Sequence, residues 1–177
     1  NSMHIRKYGN NVLYIPLRTN KGIAAAQNVG IRYFRDNGYD FVLFSDQDSS
    51  SPQKLVAELL EAYCTLSANN KISCIGPMPV NRKTGKPYIY HQCIIDECEE
   101  SGFCFNKMHS IISSYSLVPV KNFSEVGLMN ERLFIDFVEQ DWCWRAAAYH
   151  DMMCIMLPSV KIEHELGVSS SFWGHNI

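Results

Sequence analysis

The chain has 177 residues, of which 46% are apolar and 19% charged, and its formal net charge is −2. That length suits one domain with enough apolar side chains to fill a core. The nearly balanced charge excludes a basic field for nucleic acid, and no apolar run reaches the length of a membrane-spanning helix. The seven cysteines (Cys64, Cys74, Cys93, Cys98, Cys104, Cys143 and Cys154) are odd in number and contain no C-x-x-C pair. Four of them sit in apolar patterns, where cysteine behaves as a small hydrophobe, and free thiols in a reducing cytoplasm are the expected state. Cys93, Cys98 and Cys104 with His91 form the alternative, a loosely spaced zinc set.

Alternating elements are predicted in chain order. "NVLYIPL" (11–17) reads as a strand, and a helix follows from about Gly22 to Phe34, closed by Asn37-Gly38. "DFVLFS" (40–45) is the next strand. "SSSP" then opens a helix with Ser51 as N-cap and Pro52 at its first position, with apolar residues at 55, 56, 59, 60 and 63. "KISCIGP" (71–77) is a third strand, "YIYHQCII" another beyond a turn, and "HSIISSYSLVPV" (109–120) another after a polar stretch. A short helix at "KNFSEVG", a helix from about Val138 to Tyr149 and a strand at "MMCIMLP" complete the order. The β-α-β-α-β start predicts a parallel sheet with helices on both faces, whose ligands gather at the carboxyl ends of strands.

At one such end the apolar strand "FVLF" runs into Asp46-Gln47-Asp48. Carboxylates two residues apart lie on one side of the pleat, within reach of a common ion. The plainer use of the same residues is a solvated turn ahead of a helix. In "NKGIAAAQN", Gly22 and three alanines allow close backbone approach, either of a ligand or of a packed sheet, and Asn20 could cap the helix.

Four segments, "NKGIAAAQNVGI", "FSDQDSSSP", "LMNERLFIDFVEQDWCWRAA" and "IEHELG", occur in the order and spacing of bacterial family 2 glycosyltransferases of GT-A fold. The Asp-Gln-Asp form of the motif resembles the rhamnosyltransferase branch, and the likeness runs from about Asn11 to Gly167. The resemblance implies a single, partial catalytic domain over residues 1–177. Its fold would be a GT-A, Rossmann-like mixed sheet, mainly parallel, lacking the first β-α-β unit and cut short after Gly167. It implies inverting transfer of a sugar, rhamnose or another deoxysugar, from a nucleotide-diphosphate donor such as dTDP-rhamnose. The acceptor would be a saccharide or lipid-linked saccharide of a surface polysaccharide, with nucleic acid excluded, and the setting cytoplasmic, with room for peripheral association at the inner membrane face.

The same resemblance implies Mg2+ or Mn2+ as cofactor. Asp48 matches the metal aspartate, Asp46 stands beside it toward ribose or metal, and His164 would complete the metal shell or donate to a phosphate. Asn20, Gly22 and Asn28 match the nucleotide-bordering segment, and Arg145 is grouped with the donor site. An inverting transfer needs a carboxylate to take the acceptor proton. The family spacing to Arg145 puts that base on Glu139, where aspartate is usual, with Asp141 in reserve. Asp141 and Arg145, four apart on a helix, are also expected to pair as an ion bridge, and Asp136 to cap the helix. Tyr115 stands where a glycine is usual. Two other readings remain. One is a sugar-binding module without catalysis. The other is a haloacid-dehalogenase-type phosphohydrolase with Asp46 as nucleophile, although that family places its motif on the first strand.

Overall fold

A computed structural model of the protein describes residues 6–8, 12–46, 49–88 and 93–164. Strands β1 (Arg6–Tyr8) and β2 (Val12–Tyr14) form a separate antiparallel pair. Helix α1 (Ile23–Asp36), strand β3 (Phe41–Leu43) and helix α2 (Leu55–Leu66) come next. Strands β4 (Ile72–Asn81), β5 (Ile94–Glu100), β6 (Phe103–Met108) and β7 (Leu117–Pro119) follow. The chain continues through α3 (Asn122–Glu125), a 3-10 turn (Glu131–Leu133), α4 (Val138–His150) and β8 (Met153–His164).

Each helix buries one face. Ala24, Asn28 and Ile31 line α1, while Leu55, Leu59, Ala62 and Leu66 line α2. Val138, Trp142 and Ala146 line α4, all at the three- and four-residue spacing that stacks side chains on one side of a helix. The sheet alternates between its two faces. In β8, Cys154 and Met156 pack with α1, α3 and α4, whereas Ile155 and Leu157 pack with α2. The helices therefore cover both faces, as expected of an α/β fold.

The main sheet has the order β3-β7-β4-β8-β6-β5, and it corrects the expectation of a mainly parallel sheet. Only β4 and β8 pair in parallel; the β3–β7, β7–β4, β8–β6 and β6–β5 pairs are antiparallel. The β-α-β inference assumes that successive strands become neighbours, but β7 inserts between β3 and β4 and runs against both. Strand β2, expected as the first parallel strand, lies outside this sheet altogether.

Other boundaries also moved. The hairpin β5–β6 occupies what the sequence shows only as a polar stretch, because edge strand β5 carries Asp96, Glu97, Glu99 and Glu100 and gives little apolar signal. Its turn is Ser101-Gly102, with φ of 53° and 83°, the two left-handed residues that a tight hairpin needs. Helix α2 starts at Leu55 with Lys54 at its N-cap and no side-chain cap, not at Ser51-Pro52. The strand expected over 109–120 shrinks to Leu117–Pro119. Before it, Ser116 N–H donates to the Ser113 carbonyl across a turn (2.9 Å) that holds Tyr115 at φ 58°. A left-handed residue there accounts for the glycine usual at that position.

Candidate functional site

Strands β3 and β4 are both antiparallel to β7, and β4 is parallel to β8, so the carboxyl ends of all three point to one edge of the molecule. Asp46 follows β3 there and is exposed. Gln47 and Asp48 lie outside the described residues, but both flanks of that pair are placed. On the far flank, Ser50 and Glu163 exchange two backbone hydrogen bonds of 3.1 Å. Ser49 accepts from the Ser114 hydroxyl at 2.7 Å, and its carbonyl accepts from the Tyr115 hydroxyl at 3.3 Å. The Glu163 carboxylate takes the Ser50 hydroxyl at 3.4 Å and Arg82 Nε at 3.3 Å. Ser50 is thereby tied to the end of β8, where His164 stands in register with Asn81 of β4. The side chain of His164 lies outside the described residues.

A second frame delivers the carboxylates of "FIDFVEQD". The segment between α3 and α4 is held from both sides. From α1, the buried Asn28 amide donates to the Met129 carbonyl and to Glu131, each at 2.9 Å, and its oxygen accepts from Met129 N–H at 2.9 Å. From α4, the Trp142 indole N–H donates to the Gly127 carbonyl at 2.8 Å. Arg145 donates to the Val126 and Leu128 carbonyls at 2.7 and 2.9 Å and to Asp141 at 2.9 Å. The expected i, i+4 bridge between Asp141 and Arg145 is present, and it serves to orient the guanidinium toward those carbonyls.

At the start of α1, Asn20 accepts from Gly22 N–H at 3.0 Å, and Ile23 N–H donates to the Phe134 carbonyl at 2.7 Å. Gly22 has φ 83° and ψ 167°, and a Cβ there would lie 2.3 Å from the Phe134 oxygen. Close packing against another segment thus explains this glycine. Phe134 and Phe137 take left-handed φ of 60° and 61° at either end of Ile135-Asp136. Both rings and Ile135 remain exposed.

Glu139, in the first turn of α4, is half-buried. Burial raises its carboxyl above the usual range, its own backbone N–H partly offsets this, and the Cys143, Asp46 and Asp136 charges raise it further. Asp46 and Asp136 are therefore near enough for their fields to reach Glu139. Asp46 at the open end of β3 is a carboxylate of the kind a hard divalent cation prefers, but among the described residues no three carboxylate or imidazole groups lie close enough to share an ion. Asp141 points instead into its bridge with Arg145. Asn28 and Arg145, both grouped by sequence with the nucleotide, have their donors engaged within the protein.

The seryl anchors Ser49, Ser50, Ser113 and Ser114 escaped sequence reasoning because serine runs look like plain loops. Gln27 escaped as well; its amide donates to Ser113 at 3.3 Å, and its oxygen is buried without a partner, as is that of Gln140. A groove of about 750 Å3, lined by Met78, Lys86, Ile94, Glu97, Phe105 and Pro158 among others, opens along the β5–β6 side. It contains none of the residues expected to hold the donor, the metal or the base, although Cys98 and Cys104 of the alternative zinc set line it. His91, of the alternative zinc set, lies outside the described residues. No described helix is long and apolar enough to cross a membrane.

Comparison with known proteins places this geometry in context. Residues 3–127 match the family model for glycosyl transferase family 2. The chain is 34% identical over 164 residues to the dTDP-rhamnosyl transferase RfbF of Shigella flexneri, covering 88% of this chain and 53% of that protein. It spans about half the length of that curated relative. Among solved structures it resembles GalNAc-T7, crystallised with UDP, GalNAc and Mn2+, at a TM-score of 0.57 and 13% identity. That match covers 81% of this chain and 30% of the other, and it speaks for a shared GT-A fold.

Proposed function

Because the chain belongs to glycosyl transferase family 2, we propose that it is the catalytic core of an enzyme that moves a deoxysugar, rhamnose by its likeness to the Shigella protein, from a nucleotide-diphosphate donor to a saccharide acceptor with inversion. The observation that carries this reading is Glu139 in the first turn of α4, half-buried, with its carboxyl held above the usual range by burial and, more weakly, by the charges of Cys143, Asp46 and Asp136. A general base works best when its pKa approaches the operating pH, and desolvation moves a carboxylate that way.

Each part of the site has a task in such a transfer. Asp46, Asp48 and His164 are the residues that would hold Mg2+ or Mn2+, an ion that supplies positive charge against the departing diphosphate. Ser50, two residues beyond Asp48, is anchored to Glu163 at the end of β8. Glu139 accepts the proton of the acceptor hydroxyl. Arg145 and Asn28 act at a distance, by holding the 126–131 segment from which α4 starts. The exposed Phe137 and Ile135 beside Asp136 offer apolar surface to the carbon face of an acceptor ring.

The test is Glu139→Gln in the intact enzyme, with Asp141→Asn beside it. Glu139→Gln should abolish transfer while leaving Mn2+-dependent binding of the nucleotide unchanged. A folded but inactive Asp141→Asn together with normal turnover in Glu139→Gln would move the base to Asp141. Binding of nucleotide and sugar with no transfer or donor hydrolysis by the intact wild-type protein would favour a module that binds without catalysis.

A further inference from the structure

Three of the seven cysteines meet in the core, from three separate elements. Cys74 comes from β4, Cys154 from its parallel neighbour β8, and Cys143 from the buried face of α4. Cys74 and Cys154 sit directly opposite each other in the β4–β8 ladder. The sulfur–sulfur distances are 3.0 Å (Cys74–Cys154), 3.6 Å (Cys143–Cys154) and 3.8 Å (Cys74–Cys143), and each residue is at most 3% exposed. In the sequence these three are 11 to 80 residues apart and look like ordinary small hydrophobes. Only the fold makes them a cluster.

The triangle restricts what can bind. A point equidistant from the three sulfurs, in their plane, lies about 2.0 Å from each. A metal–thiolate bond of the zinc type is about 2.3 Å, so a bound centre would sit about 1 Å out of the plane, at the apex of a pyramid. Zinc in that position would need a fourth ligand, and among the described residues no other His, Cys, Asp or Glu joins the cluster. Charge restricts it further. Three thiolates around a monovalent or divalent cation leave net negative charge in an apolar core, where no described Lys or Arg pairs with the cluster, and that is costly. A trivalent centre with a lone pair meets both conditions: it is pyramidal, needs three ligands and gives a neutral adduct.

We propose that Cys74, Cys143 and Cys154 form a buried three-thiol site for a trivalent thiophilic metalloid of the arsenite class. One arsenous acid condenses with three thiols; three As–S bonds form, three As–O bonds break, and the three thiol protons leave with the three hydroxyls as water. No oxidant or reductant takes part. The adduct would staple α4, one turn after Glu139, to the two parallel strands at the centre of the sheet.

The experiment uses the 177-residue chain with sodium arsenite, added to the folded protein and, separately, during refolding from denaturant, so that access to the core cannot decide the result. Intact mass should rise by one arsenic less three hydrogens. Alkylation of the denatured adduct followed by peptide mapping should find Cys74, Cys143 and Cys154 protected and the other four cysteines modified. Tm should rise by roughly 5–10 °C at arsenite a hundredfold above Kd. Replacing Cys64, Cys93, Cys98 and Cys104 together by Ser should leave all three results in place, whereas Cys143→Ala or Cys154→Ala should lose the three-thiol mass. No adduct under either loading condition overturns the proposal. So does protection that maps to Cys93, Cys98 or Cys104, a result the wild-type chain yields even if a core variant fails to fold.

Discussion

Two glycine-to-alanine substitutions, eight residues apart at the start and middle of α1, should change stability in opposite directions. At Gly22 the backbone lies at φ 83° and ψ 167°, a region open essentially to glycine alone, and forcing alanine into it costs about 1–3 kcal/mol. The new Cβ would stand 2.3 Å from the Phe134 carbonyl oxygen and 2.7 Å from its ring, closer than real Cβ contacts allow. That carbonyl accepts the 2.7 Å bond from Ile23 N–H, so moving it aside breaks the link between α1 and the segment leading to α4, at about 1 kcal/mol or more. Together the loss is roughly 2–4 kcal/mol, or roughly 10 °C in Tm for a chain of this size. Gly30, by contrast, has a helical backbone and nothing within 4 Å of a built Cβ, so alanine should add about 0.5–1 kcal/mol. Urea unfolding of the wild type and both variants measures the two differences. A Gly22→Ala protein within about 1 kcal/mol of wild type would refute the claim that this glycine is needed for close packing on Phe134.

Three other measurements bear on the site. Glu139→Gln should be more stable than wild type, with a pH dependence of definite sign. The raised carboxyl makes wild-type stability fall as pH climbs from the unfolded glutamate range, about 4.3, through the higher folded value, so the Tm difference should grow over that window and then level off; a difference independent of pH counts against a desolvated carboxylate. Asn28→Ala strips both backbone groups of buried Met129 of their partners and should cost about 2–5 kcal/mol, while nucleotide affinity measured well below Tm stays the same. Lost affinity with Tm intact would instead return Asn28 to the nucleotide. Calorimetric titration of a nucleoside diphosphate should show Mn2+-dependent binding abolished in Asp48→Asn and weakened less in Asp46→Asn, and unchanged affinity in Asp48→Asn would remove it from the metal site.

The sequence by itself determined the local elements whose signals are local. Helix α1 ends at Asn37-Gly38 as its closing residues require, and α4 carries its apolar residues and its Asp141–Arg145 pair at helical spacing. The family followed from motifs whose order survives in the linear chain. What the sequence could not decide was which strand lies next to which. Strand β7 is three residues long, yet by sitting between β3 and β4 it turns an expected parallel sheet into a mostly antiparallel one, and pairing between residues 42 to 78 apart leaves no trace in periodicity. Edge strand β5 was hidden for a different reason, since its charged side chains face water and carry no apolar alternation. The roles of Asn28 and Arg145 belong to the same class. Each looked available to a ligand in one dimension, and each is instead engaged by backbone groups 17 to 101 residues away. The burial of Glu139 and the meeting of Cys74, Cys143 and Cys154 were likewise decided by tertiary structure, because packing brings together side chains that the chain itself keeps apart.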